Sequence, residues 1–130
     1  SMRREAEAHQ IKLDADLRCH IEVGCDDVKM ERAIANLIKN AIEALGNGGH
    51  IAVSSYADDH YAYIRIEDDG PGIPEAIRDK LFGSVVTYGK KGGTGLGLAI
   101  VKSTVDMHHG KITCQAVSPR GTAFVIALPR

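Results

Sequence analysis

A chain of 130 residues with 44% hydrophobic and 25% charged residues has the ordinary soluble globular balance and enough length to bury one core. Sixteen basic against seventeen acidic residues leave a net charge of −1, which gives no electrostatic case for nucleic acid or a membrane surface. Two Phe, four Tyr and no Trp leave little material for base stacking, and no apolar run nears the roughly 20 residues that a spanning helix needs.

No charged-then-apolar leader opens the chain, and Cys19, Cys25 and Cys114 show no metal-ligand spacing, so reduced thiols in a cytoplasmic domain are expected. The Ser1-Met2 opening reads as a tag-cleavage scar on an excised fragment, and the natural protein is expected to be longer. Without internal repeats, low-complexity tracts or linkers, residues 1–130 read as a single domain.

After a charged lead-in, residues 10–13 and 18–23 read as short strands separated by the polar Asp14-Ala15-Asp16. Asp26 or Asp27 caps a long helix to about Leu45, with Met30, Ala33, Ile34, Leu37, Ile38, Ala41, Ile42 and Leu45 on one broad apolar face. Gly46-Asn47-Gly48-Gly49 ends it. Residues 51–56 and 61–67 alternate and form a hairpin across Asp58-Asp59-His60. Pro74 suits the first position of a short helix to about Phe82. A glycine-rich loop over 83–95 leads into a helix from about Leu96 to His108, and His109-Gly110 breaks it. Residues 111–117 and 122–128 close the chain as a second hairpin. The order ββ-α-ββ-α-α-ββ points to an α+β, two-layer sandwich with helices on one face of a mixed, mostly antiparallel sheet.

Three elements could carry chemistry. Asn36 and Asn40 stand four apart, on one helix face at the edge of the apolar stripe. Alone they read as ordinary polar-face residues; but asparagine is a poor helix former, and its carboxamide oxygen suits a hard cation such as Mg²⁺. Asp68-Asp69-Gly70-Pro71-Gly72-Ile73-Pro74 follows a strand directly. Taken alone it is a tight turn, yet a carboxylate at a strand end can accept from an exocyclic amine such as that of adenine, with Gly70 and Gly72 leaving room for the ring.

The third element, Gly89-Lys90-Lys91-Gly92-Gly93-Thr94-Gly95-Leu96-Gly97-Leu98, enters a helix, where free backbone N–H groups could meet phosphate if the loop is more than a flexible connection. It fits neither GxxxxGK[ST] nor GxGxxG, so it is neither a P-loop nor a Rossmann loop.

In order and spacing these elements resemble the N, G1 and G2 boxes of the GHKL ATPase superfamily, the group of gyrase, Hsp90, histidine kinases and MutL. The resemblance runs from about Gly24 to Pro129 and implies the Bergerat fold and ATP with Mg²⁺ as cofactors. It implies that Asn40 binds Mg²⁺ with Asn36 supporting it, that Asp68 contacts the adenine amine beside Gly70, Gly72 and Ile73, and that Gly93, Thr94, Gly95, Leu96, Gly97 and Leu98 meet the phosphates. Gly121-Thr122-Ala123-Phe124 resembles the last strand, whose Thr122 serves the adenine site. Leu81-Phe82 resembles a reduced F box, and 83–92 a lid that carries Thr87 and the lysines. Of these, Lys90 is favoured over Lys91 for the γ-phosphate.

In the ATP-hydrolysing members a glutamate sits where this chain has Asn36; without that base hydrolysis loses its proton acceptor, while phosphoryl transfer stays open. The text around Asn-Ala-Ile-Glu-Ala-Leu is most similar to nitrogen-regulation-type sensor histidine kinases. The implied function is transfer of the γ-phosphate to a histidine on a separate dimerisation domain of the same protein, with a response regulator downstream. None of His9, His20, His50, His60, His108 or His109 lies in an acceptor-helix motif, and His108-His109-Gly110 matches a helix-to-strand turn. The acceptor helices are therefore expected before residue 1, and the isolated domain is expected to be monomeric and cytoplasmic, whether or not the full-length protein is membrane-anchored. The alternatives are an anti-sigma-type serine kinase, a degenerate nucleotide-binding docking module and, against Asn36, a gyrase-like ATPase.

Overall fold

The computed structural model describes residues 2–17, 27–78 and 96–130. The described elements are α1 (Met2–Ala8), β1 (Ile11–Leu17), α2 (Asp27–Leu45), β2 (Gly49–Ala57), β3 (Tyr61–Asp68), α3 (Glu75–Arg78), α4 (Leu96–Met107), β4 (Lys111–Ala116) and β5 (Thr122–Pro129).

The strands form one five-stranded sheet in the order β1-β2-β3-β5-β4. β1 pairs parallel with β2, as a strand returning through a helical crossover does, and the other three pairings are antiparallel. The sheet is mixed and mostly antiparallel, as the pattern of elements predicts. Two expectations change at the N-terminus. The lead-in is a helix that buries Ala6, and Asp14-Ala15-Asp16 lies inside β1 and does not interrupt it. The parallel partner supplies β1's ladder bonds, and Asp14 meets His50 Nε2 at 2.7 Å, so polarity there does not break the strand. The strand expected over 18–23 lies outside the described residues.

Strand parity decides which side chains enter the core. Along β3, Ala62, Ile64, Ile66 and Asp68 are buried while Tyr61, Tyr63, Arg65 and Glu67 are half-buried. Ile51 and Val53 of β2 and Phe124, Ile126 and Leu128 of β5 extend that inner face. Against it lie Met30, Ala33, Leu37, Ile38, Ala41 and Ile42 of α2, the stripe that its helical spacing predicts, and Leu98, Val101 and Val105 of α4. The Gly46 N–H closes α2 on the Ile42 carbonyl at 3.0 Å. The β2–β3 hairpin is closed by Asp58, whose carboxylate accepts from the His60 and Tyr61 N–H groups and from the Tyr63 hydroxyl. Those bonds hold its pKa below the usual carboxylate range, the tyrosine hydroxyl contributing most.

Candidate functional site

Asp68 ends β3 on the inner face, beyond the last buried isoleucine of that strand, and is only 5% exposed. Its register partner is Thr122, the first residue of β5, which is also buried. The chain then turns: the Gly70 N–H donates to Asp68 Oδ1 at 2.9 Å, and the Thr122 N–H also bonds to the carboxylate. Burial raises the Asp68 pKa above the ordinary carboxylate value, and the Asp69 and Glu67 charges add to the rise, against the two N–H bonds that favour the ionised form.

The turn after Asp68 is packed tightly from both sides. A Cβ on Gly70 would stand 2.9 Å from Asp68 Oδ1 and 3.3 Å from the Leu45 side chain, so no larger residue fits between the carboxylate and the end of α2. Gly121, at φ +128°, brings the β4–β5 turn so close that a Cβ there would run into the Asp68 carbonyl. Further along, Arg78 Nη1 donates to the Ile73 carbonyl at 3.0 Å and ties α3 to the end of the turn.

Asn36 and Asn40 are both half-buried on α2, consistent with positions at the edge of its apolar stripe. Asn40 lies little more than one turn before Leu45, whose side chain meets the Gly70 turn. The fold thus gathers Asp68, Gly70, Gly72, Ile73 and Thr122 at one end of the sheet, with the C-terminal turns of α2 alongside. Leu98 is buried in the first turn of α4, where it serves the core, and Leu96 and Gly97 begin that helix. Phe82, Thr87, Lys90, Gly93, Thr94 and Gly95 lie outside the described residues, as do the F box and the lid.

Arg120 and Arg78 did not stand out in the sequence. Arg120 Nε reaches the carbonyls of Asp69 at 3.3 Å and Gly70 at 3.2 Å, across fifty residues of chain. No local pattern marks such a contact. Cys114 is free, and burial pushes its thiol up to about 11, so it is not poised as a nucleophile. The His108-His109-Gly110 turn is structural: His108 Nδ1 bonds the Thr104 carbonyl at 2.7 Å, and the Gly110 N–H returns to the Val105 carbonyl at 3.0 Å.

The model of the histidine kinase-, DNA gyrase B- and HSP90-like ATPases matches residues 25–130. The chain belongs to this ATPase family. The sensory histidine kinase/phosphatase NtrB of Klebsiella oxytoca is 38% identical over 119 residues, 83% of this chain and 34% of NtrB. The mycobacterial sensor histidine kinase MprB superposes with a TM-score of 0.87 at 33% identity, covering 98% of this chain and 88% of that one. Histidine kinase ThkA, solved in complex with the response regulator protein TrrA, gives a TM-score of 0.83 at 25% identity over 98% of this chain and 36% of that one.

Within the ATPase family the chain is therefore of the sensor-histidine-kinase type, with the mixed-sheet sandwich of their catalytic domains, and the relatives include the nitrogen-regulation kind. It spans 13% to 34% of the length of curated relatives that it matches.

Membership in an ATPase family implies ATP, and the donor set fits it. An ionised carboxylate has about four lone-pair sites, and the Gly70 and Thr122 N–H groups use two, leaving acceptor capacity for an exocyclic amine. Among the described residues no group of three or more His, Cys, Asp or Glu side chains could hold a metal ion.

Proposed function

We propose that this chain binds Mg-ATP and acts as the phosphoryl-donating domain of a two-component sensor kinase. The γ-phosphate passes to a histidine on a dimerisation domain of the same protein, and from there to a response regulator. The observation that carries the reading is the buried Asp68 carboxylate. It is desolvated, clamped by two backbone N–H groups and still has acceptor capacity, at the position where the family resemblance puts the adenine amine. A charge kept in so costly a place calls for a ligand-binding reason.

In this reading Asp68, with Thr122 beside it, fixes the base, and Gly70 and Gly72 keep the turn thin enough for a flat ring. Asn40 presents its carboxamide oxygen to Mg²⁺, with Asn36 in support. Bound Mg-ATP supplies the phosphoryl group and the counter-charge for its transfer. At Asn36 the chain has a carboxamide, which cannot take a proton from water at neutral pH, so transfer to another nucleophile is favoured over hydrolysis. The histidine kinases NtrB and MprB favour histidine over serine as that nucleophile, and the ThkA–TrrA complex supports the response-regulator partner.

Two measurements test the proposal. Calorimetric titration of a non-hydrolysable ATP analogue should show binding that tightens with Mg²⁺, and a folded sample that binds nothing would leave only a docking module. Incubated with labelled ATP, the chain alone should gain little label. Added dimerisation domain should take up acid-labile phosphate, and acid-stable phosphoserine in its place would refute the histidine assignment.

A further inference from the structure

The peptide unit between Asp69 and Gly70 is held at both ends. Its N–H donates to Asp68 Oδ1 at 2.9 Å, and its carbonyl, that of Asp69, accepts from Arg120 Nε at 3.3 Å. In a trans peptide these two groups point in opposite directions, so the contacts pull along one line and fix the plane of the unit. The same Nε reaches the next carbonyl, Gly70, at 3.2 Å, a three-centre bond spanning both residues of the turn.

The turn is also held through Asp69, which exchanges bonds with His50, and by the close approach of Gly121, so Arg120 adds a side-chain hold on its two carbonyls. A cavity of about 430 Å³, lined in part by Leu45, Gly49 and Asp69, and another of about 350 Å³, lined in part by Ile73, Arg78 and Val117, both have Pro71 and Arg120 in their walls. Arg120 therefore stands between two hollows that flank the glycine-rich turn. It is exposed, so it contributes no core contact that would explain it otherwise.

We infer that Arg120 is a positioning residue for adenine recognition. By clamping the Asp69–Gly70 peptide it holds the Gly70 N–H against Asp68, and so holds the carboxylate in the orientation that reads the base amine. This rests on the proposed role of Asp68. The inference assigns the work to the Nε donor and not to the positive charge, and three substitutions separate the two. Glutamine places an N–H donor the same number of bonds from the backbone as Arg Nε, without the charge. Lysine keeps the charge but has a methylene at that place, and methionine has neither donor nor charge.

The test is equilibrium titration of the chain with ATP and with inosine triphosphate, which carries a carbonyl oxygen in place of the amine, together with a thermal melt of each variant. Arg120→Met and Arg120→Lys should lower the preference for ATP over inosine triphosphate roughly 3- to 10-fold, the range for one lost hydrogen bond, while Arg120→Gln restores it. If lysine keeps the preference and glutamine loses it, the charge is what matters and the inference is overturned. Equal loss for both nucleotides, which a loosened fold would give, overturns it as well. Asp68→Asn is run in parallel. If Asp68→Asn abolishes the preference and all three Arg120 variants keep it, only the Arg120 inference fails. If Asp68→Asn also keeps it, the base assignment falls and the inference with it.

Discussion

Replacing Asp68 by asparagine changes two quantities that respond separately. The shape is conserved, but the charge is lost and one carboxylate oxygen becomes an amide donor. If the other oxygen keeps the Gly70 N–H, that donor faces the adenine amine, donor against donor. Loss of a hydrogen bond to a charged group is worth about 1.5–3 kcal/mol, so ATP affinity should drop roughly 10- to 150-fold. Stability moves by another route. The folded pKa of Asp68 is raised, mainly by burial, so its contribution to stability is fully present below the unfolded pKa and is lost as pH rises through the folded value. The parent should therefore lose stability from this group as pH climbs from about 4 toward neutrality, by about 1.4 kcal/mol for each unit of pKa elevation, and the variant should not. The assay is urea unfolding of nucleotide-free protein at several pH values and constant ionic strength, beside titration with an ATP analogue. A misplaced amide would add an offset that does not follow pH, so the slope of the difference is the diagnostic. A variant that binds ATP as tightly as the parent refutes the base-reading role. A stability difference that moves against the variant as pH rises refutes burial as the dominant influence on Asp68.

Other perturbations address separate parts of the site. Asn40→Ala should abolish the Mg²⁺-dependent part of nucleotide binding while the melting temperature stays close to the parent's, because changes at the polar edge of a helix are usually mild. Binding that still tightens with Mg²⁺ would remove Asn40 from the metal site. Gly121→Ala forces a Cβ into the Asp68 carbonyl at a φ of +128°, and strain of about 1–3 kcal/mol should appear as a lower urea midpoint at unchanged slope. An unchanged midpoint would mean that the β4–β5 turn can retreat from Asp68 without cost.

What the sequence made legible was set by how local each signal is. The stripe of α2 and the alternation of β3 are repeating patterns, and Leu37 and Ile64 lie in the core as their spacing requires. The cluster around Asp68 was legible because Gly70, Gly72 and Thr122 stand at fixed offsets in their motifs. β1 was misjudged at Asp14-Ala15-Asp16, since the parallel partner that supports those residues lies beyond a whole helix in the chain. The lead-in helix α1 consists of good helix formers, but seven residues are too few for a periodic signal, and its stability draws on burial of Ala6. Arg120 in Ser118-Pro119-Arg120-Gly121 reads as one more turn residue. Its meaning appears only when the β4–β5 turn is folded against the turn that follows β3.

Three consecutive acidic residues, Glu67, Asp68 and Asp69, show how the fold makes different groups of similar side chains. Parity along β3 turns Glu67 outward, where it pairs with Arg65 at 2.8 Å. It turns Asp68 inward, into the costly position where an acceptor can read a base. Just past the strand, Asp69 leaves the alternation, and its carboxylate accepts the His50 N–H at 2.9 Å, anchoring the turn to β2. A register slip of one residue would exchange the roles of Glu67 and Asp68, bringing a longer carboxylate inward with no glycine two residues further along to receive it. The register of β3 between β2 and β5 is therefore as much a part of the site as the carboxylate itself. In the proposed reading, the core residues Ile64 and Ile66, which fix the register by facing the helices, become indirect determinants of nucleotide recognition.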